Sequence, residues 1–143
     1  MTATFLNLTI HPAAGWSPEQ TAAAEALAAA LADDPAGAEV RLVDRPFPRV
    51  DPGADAAQVD RLADDLIAEL TTAYDPARLV VHVMGEFTLT CALVARLQGL
   101  GVRTVASTTE RIVTKDGDAT TRRFAFRRFR DYPPLYATEA VAS

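Results

Sequence analysis

At 143 residues, 49% of them apolar, the chain carries enough material for one packed core, and a globule rather than a disordered segment is expected. A net charge of −5 argues against a protein that coats duplex nucleic acid, and the single cysteine, Cys91, leaves no internal disulfide or multi-cysteine metal site. Met1 to Ile10 lacks the basic start of a signal peptide, and no apolar run reaches the roughly 18 residues of a bilayer span, so a cytoplasmic protein without a membrane partner is expected.

Taken along the chain, strands and helices alternate. Thr4 to Ile10 alternates apolar and polar residues and predicts the first strand. After the loop His11 to Trp16, Ser17-Pro18-Glu19-Gln20 reads as a capping box opening an alanine-rich helix to about Asp33, with Ala24, Leu27 and Leu31 on one face. Val40 to Val43 is a short second strand, followed by a proline-punctuated loop to Gly53. Asp55 with Gln58 forms another capping box, and Val59, Leu62, Leu66 and Leu70 make an amphipathic stripe ended by Asp75-Pro76. Leu79 to Met84 is continuously apolar at strand length, as in a central strand covered on both faces.

Gly85 then leads into a third helix, about Phe87 to Leu97, which is apolar nearly all round and so is expected to be buried on both sides, Cys91 included, with a homodimer interface on one of them. Val102 to Ala106 is the fourth strand. Ser107 to Arg111 reads as a loop, and Ile112 to Thr114 and Thr121 to Phe129 as the arms of a hairpin turning at Lys115–Asp118. The fold class is therefore α/β: one Rossmann-like domain over residues 1–130, a parallel sheet ordered 2-1-3-4 between helices, with the hairpin 111–130 at its edge and a tail from 131 to 143.

In such a sheet ligands sit beyond the carboxyl ends of the strands where their order reverses, here between the first and third. The loops His11–Ser17, Met84–Thr88 and Ser107–Arg111 meet there. Gly85 lets backbone approach a ligand, and the helix start behind it offers free N–H groups. Glu86 and Thr88 either contact a ribose or cap that helix. Ser107, Thr108, Thr109 and Arg111 suit phosphate oxygens, although a plain polar turn uses the same residues; an ion pair from Glu110 would orient Arg111. His11 is either a general acid–base or a turn donor, and Trp16 either stacks on a base or staples the first helix. His82, inside the central strand, reads as a satisfied core histidine. The late arginines form either a local anion site or a solvated hairpin face. With neither GxGxxG nor GxxxxGK[ST] present, standard dinucleotide enzymes and P-loop NTPases fit poorly. Two histidines without a partner at ligand spacing give no zinc site, and no cofactor is expected.

The opening Phe5-Leu-Asn7-Leu-Thr-Ile-His11-Pro12, with Trp16-Ser-Pro-Glu-Gln20, resembles the start of small stand-alone proteins of type III CRISPR loci. Val83-Met-Gly-Glu86 with Thr88, and Ala106-Ser-Thr-Thr-Glu-Arg111, look like binding loops of their CARF-like (CRISPR-associated Rossmann) fold. The resemblance implies an antiviral-defence ligand, a cyclic oligoadenylate such as cyclic tetra-adenylate. It is either cleaved by a metal-independent ring nuclease or bound and sequestered, and a two-fold dimer suits its symmetry. It further implies proton handling by His11, phosphate contacts from Arg111, Ser107, Thr108 and Thr109, a ribose contact from Glu86, and ligand contacts from Asn7, Trp16, Gly85 and Thr88. A protein for an unrelated small ligand or protein partner is the remaining alternative.

Overall fold

The computed structural model describes residues 2–135. Its elements follow the chain as β1 (Thr2–Leu8), α1 (Pro18–Ala29), β2 (Glu39–Asp44), α2 (Ala56–Ala73), β3 (Leu79–Val83), α3 (Phe87–Gly99), β4 (Arg103–Asp116) and β5 (Ala119–Asp131), with single 3-10 turns at Ala13–Gly15, Pro35–Gly37 and Pro76–Arg78. The strands form one mixed sheet in the order β2-β1-β3-β4-β5; the first four are parallel and β5 is antiparallel to β4. The expected α/β class, the 2-1-3-4 order and the edge hairpin are all present.

Alternation along the strands divides the core in two. Leu6, Leu8, Leu79, Val81 and Val83 point to one face, where they pack with Leu66 and Leu70 of α2 and Leu89, Leu93 and Leu97 of α3. Ala3, Phe5, Val80 and Val105 point to the other, under Ala24 and Ala28 of α1. Small residues on α1 let that helix lie close to the strands. The cap of α2 is the full box expected from Asp55 and Gln58, whereas Ser17 of α1 accepts from the Gln20 N–H alone.

Four expectations are corrected. Ser107 to Arg111 is not a loop: it continues β4, because its β-branched threonines suit a strand and β5 supplies a full set of antiparallel partners. The hairpin arms are accordingly longer, and only Gly117 and Asp118 make the turn, with Gly117 at φ +62 as a tight two-residue connection requires. Helix α1 stops at Ala29, several residues before Asp33, yet Leu31 still packs on its core. Finally, Cys91 is exposed and not part of the core, and Phe87 is 86% exposed, because within one chain α2 and the sheet cover a single stripe of α3.

The start of the tail is held to the domain. The Tyr132 hydroxyl donates to the Val83 carbonyl, and Gln98 of α3 binds both the Pro133 carbonyl and the Leu135 N–H. The tail from residue 136 onward lies outside the described residues. Among the described residues no helix is long and apolar enough to cross a membrane.

Candidate functional site

Four adjacent strands each present one polar side chain on the α1 face, close to where their parallel pairing ends. Register sets Asp44 of β2 beside Asn7 of β1, and Asn7 beside His82 of β3. Val105 of β4 is the partner of His82, and Ser107 stands two residues further along on the same face. Asp44, Asn7, His82 and Ser107 thus form a row across the carboxyl ends of the parallel strands.

The row is hydrogen-bonded from end to end. Asn7 Nδ2 donates to Asp44 Oδ1 and to the His11 carbonyl, each at 2.8 Å. Both of those partners are acceptors, so the amide orientation is fixed and Asn7 Oδ1 is left facing His82 Nδ1 at 3.0 Å. An oxygen that only accepts requires the proton on Nδ1, and the network thereby assigns the tautomer of the neutral ring. Nε2 is then a bare acceptor, 3.1 Å from Ser107 Oγ. Ser107 Oγ also lies 3.2 Å from Met84 Sδ. Burial pushes the His82 imidazole down from its ordinary 6.5 to about 4, which keeps the ring neutral at physiological pH.

The same groups hold the loop after β1. Asp44 Oδ1 accepts from the Ala13 N–H at 3.0 Å, and Thr9 Oγ1 accepts from the His11 N–H while lying 3.0 Å from Asn7 Oδ1. Trp16 then packs over the row, its ring centroid 6.0 Å from Phe5, 5.8 Å from His82 and 5.9 Å from Phe129.

A cleft of about 470 Å³ opens above this arrangement, lined by the β1 loop with Trp16 and Gln20, by His82, Met84 and Gly85, and by Ser107 and Thr109. It lies at the point where the strand order reverses. Its lining is largely apolar with a few convergent polar atoms, the usual make-up of a small-molecule site. None of the lining residues is a lysine or arginine.

Of the residues expected in the site, His11, Trp16, Gly85, Ser107 and Thr109 line the cleft, and Asn7 supports it from below. The others stand apart. Glu86 caps α3: its carboxylate accepts from the Leu89 and Thr88 N–H groups and from the Thr88 hydroxyl, and these bonds hold it below the usual carboxylate range. Both it and Thr88 are thereby committed to the helix start. Thr108 points to the opposite face and donates to the Arg128 carbonyl. Arg111 is exposed, on the same face as Ser107 and Thr109 but further along the hairpin, opposite Phe124. Glu110 pairs with Arg127 at 3.3 Å rather than with Arg111. The space beside Gly85 is filled by protein, since a Cβ there would meet the Phe47 ring at 2.3 Å.

His82 is the residue that sequence reasoning set aside. It is satisfied and buried as expected, with Nδ1 facing Asn7 and Nε2 facing Ser107, and it lines the cleft. The signal was the coincidence of Asp44, Asn7 and His82 at the ends of three strands that the 2-1-3-4 order makes neighbours. Thr9, Ile10 and Gln20 also line the cleft without any chemical pattern in the sequence to mark them, whereas Met84 lies in a loop expected there. Among the described residues no three His, Cys, Asp or Glu side chains are grouped to hold a metal ion.

A comparison with protein-family models matches residues 3–130 to the Uncharacterized protein MJ1673 family. No curated protein and no solved structure matches significantly.

Proposed function

The chain belongs to the Uncharacterized protein MJ1673 family, and from the chemistry of its cleft we propose that it binds a cyclic oligoadenylate, cyclic tetra-adenylate first among them, and opens the ring without a metal. In this reading the domain is a CARF-like variant of the Rossmann-like fold, with its ligand beyond the carboxyl ends of β1, β3 and β4. The observation that carries the proposal is the hydrogen-bonded row from Asp44 to Ser107, which ends in a hydroxyl on the cleft wall.

The lining suits the parts of such a ligand. Trp16, Ile10 and Met84 offer apolar surface to a base, while Thr9, Ser107 and Thr109 offer hydroxyls to ribose and phosphate oxygens. Arg111, exposed further along the same face of β4 and outside the lining, is the cation that would reach a phosphate extending from the cleft, and His11 on the lining loop is a group for proton handling. Cleavage uses the ligand's own 2′-hydroxyl against the adjacent phosphorus, so the protein supplies position and a base. A homodimer that pairs two clefts about a two-fold axis matches the symmetry of a cyclic ligand.

The test is incubation of the protein with cyclic tetra-adenylate in EDTA, followed by chromatography. Linear products with 2′,3′-cyclic phosphate ends are expected. The second reading is a binder that sequesters the ring intact, and the lack of lysine or arginine in the lining favours it, because charge developing on phosphorus meets no cation inside the cleft. Intact ligand co-eluting with protein is the result of that reading. Neither binding nor turnover directs attention to an unrelated small ligand or a protein partner.

A further inference from the structure

We infer that Ser107 is the group that meets the attacking hydroxyl and relays its proton to His82, with Asn7 and Asp44 as positioning residues; this rests on the ring-opening reading above. His82 is 3% exposed and its free nitrogen is already covered by Ser107 Oγ, so a ligand in the cleft meets the serine first. Ser107 is partly exposed and lines the cleft. With His82 Nδ1 holding a hydrogen toward Asn7 Oδ1, Nε2 is the only ring atom able to take a proton. The His11 ring, by contrast, makes no side-chain hydrogen bond among the described residues, and nothing fixes its tautomer.

The step balances. The 2′-hydroxyl gives its proton to Ser107 Oγ as the serine proton passes to His82 Nε2. The O2′–P bond forms, the P–O5′ bond breaks, and the leaving O5′ takes a proton back from the imidazolium through the same serine. Nothing is oxidised or reduced. The transient imidazolium is held at Nδ1 by the Asn7 oxygen, whose amide is anchored on Asp44, so the orienting group is neutral and the carboxylate acts one residue removed. The depressed basicity of the buried ring leaves it neutral across the physiological range and favours return of the proton to the leaving group.

The experiment measures equilibrium binding and single-turnover cleavage of cyclic tetra-adenylate by the full chain and by Ser107→Ala, Ser107→Thr, His82→Gln and Asn7→Asp. Ser107→Ala and His82→Gln are expected to bind within about threefold of wild type and to cleave on the order of 100-fold more slowly or worse. Ser107→Thr, which restores a hydroxyl in a strand that tolerates β-branching, is expected to recover most of the rate. Asn7→Asp places a carboxylate on His82 Nδ1 and is expected to move the acid limb of the pH–rate profile up by about one unit. Wild-type rate in Ser107→Ala, or an unmoved acid limb in Asn7→Asp, overturns the relay while leaving the ring-opening reading intact. A wild-type chain that does not cleave overturns both.

Discussion

The two faces of the sheet are built from the same strands, residue by alternate residue, yet they bury different chemistry. The face under α2 and α3 is dominated by large aliphatic side chains, among them Leu66, Leu70, Leu89, Leu93 and Leu97. The face under α1 holds small alanines and an aromatic group at its centre, then gives way at the carboxyl ends of the strands to Asp44, Asn7, His82 and Ser107. An aliphatic face needs only volume and shape to be stable. Buried polar groups cost free energy unless every donor and acceptor is met, and here they are met in sequence until the last hydroxyl, which opens on the cleft. The face that carries the polar row is therefore the face where chemistry is to be sought.

Substitutions separate the two faces, and the largest effect belongs to the aliphatic one. Leu93 is fully buried between α3, α2 and the sheet, so Leu93→Ala should lower unfolding stability by about 2–5 kcal/mol in urea titrations. A comparable loss of cleft binding at temperatures where the variant is folded would erase the distinction. Next comes acid response. His82 titrates at about 4 when folded and at its ordinary 6.5 when unfolded, so the unfolded chain binds more protons between those values. Its contribution is complete above about pH 6.5 and is lost as pH falls toward 4, about 3 kcal/mol in all. Urea midpoints measured against pH should show His82→Gln flattening that window, and identical curves would contradict the neutral buried ring.

Gly85→Ala should cost about 1–3 kcal/mol by forcing its new Cβ against the Phe47 ring, measured as a drop in the urea midpoint. Its cause lies on the aliphatic face although the glycine borders the cleft. The smallest effect is expected at Glu86→Gln. That change weakens the α3 cap and removes the stability that the carboxylate gives above its ordinary titration range, which is lost as pH falls through its lowered folded value. Melting temperature should fall slightly and ligand affinity should not change; a large loss of affinity would return Glu86 to the ligand.

Much of this arrangement was legible in the residues. Period-two alternation, the Asp55–Gln58 box and the apolar run at Leu79 to Val83 announce the strand–helix order, and that order locates the cleft between β1 and β3. The segment Ser107 to Arg111 was not legible because serine, threonine and arginine serve a loop and an edge strand equally well. Only the pairing with β5, more than a dozen residues away, decides between them. His82 is the satisfied core residue that the apolar run announces, but its bonding to Asn7 on β1 and Ser107 on β4 is visible only once the sheet order makes those strands its neighbours. Glu86 illustrates the reverse case, a polar residue beside the cleft whose bonds all turn back to its own helix.

Titration of the isotope-labelled chain with cyclic tetra-adenylate, followed by NMR, decides whether the cleft is where the ligand binds. Shifts are expected to concentrate at Thr9, His11, Trp16, Ser107 and Thr109, together with a change at the His82 Nε2 resonance while Nδ1 keeps its hydrogen. Shifts confined to the α2 and α3 face, or none at saturating ligand, would contradict it.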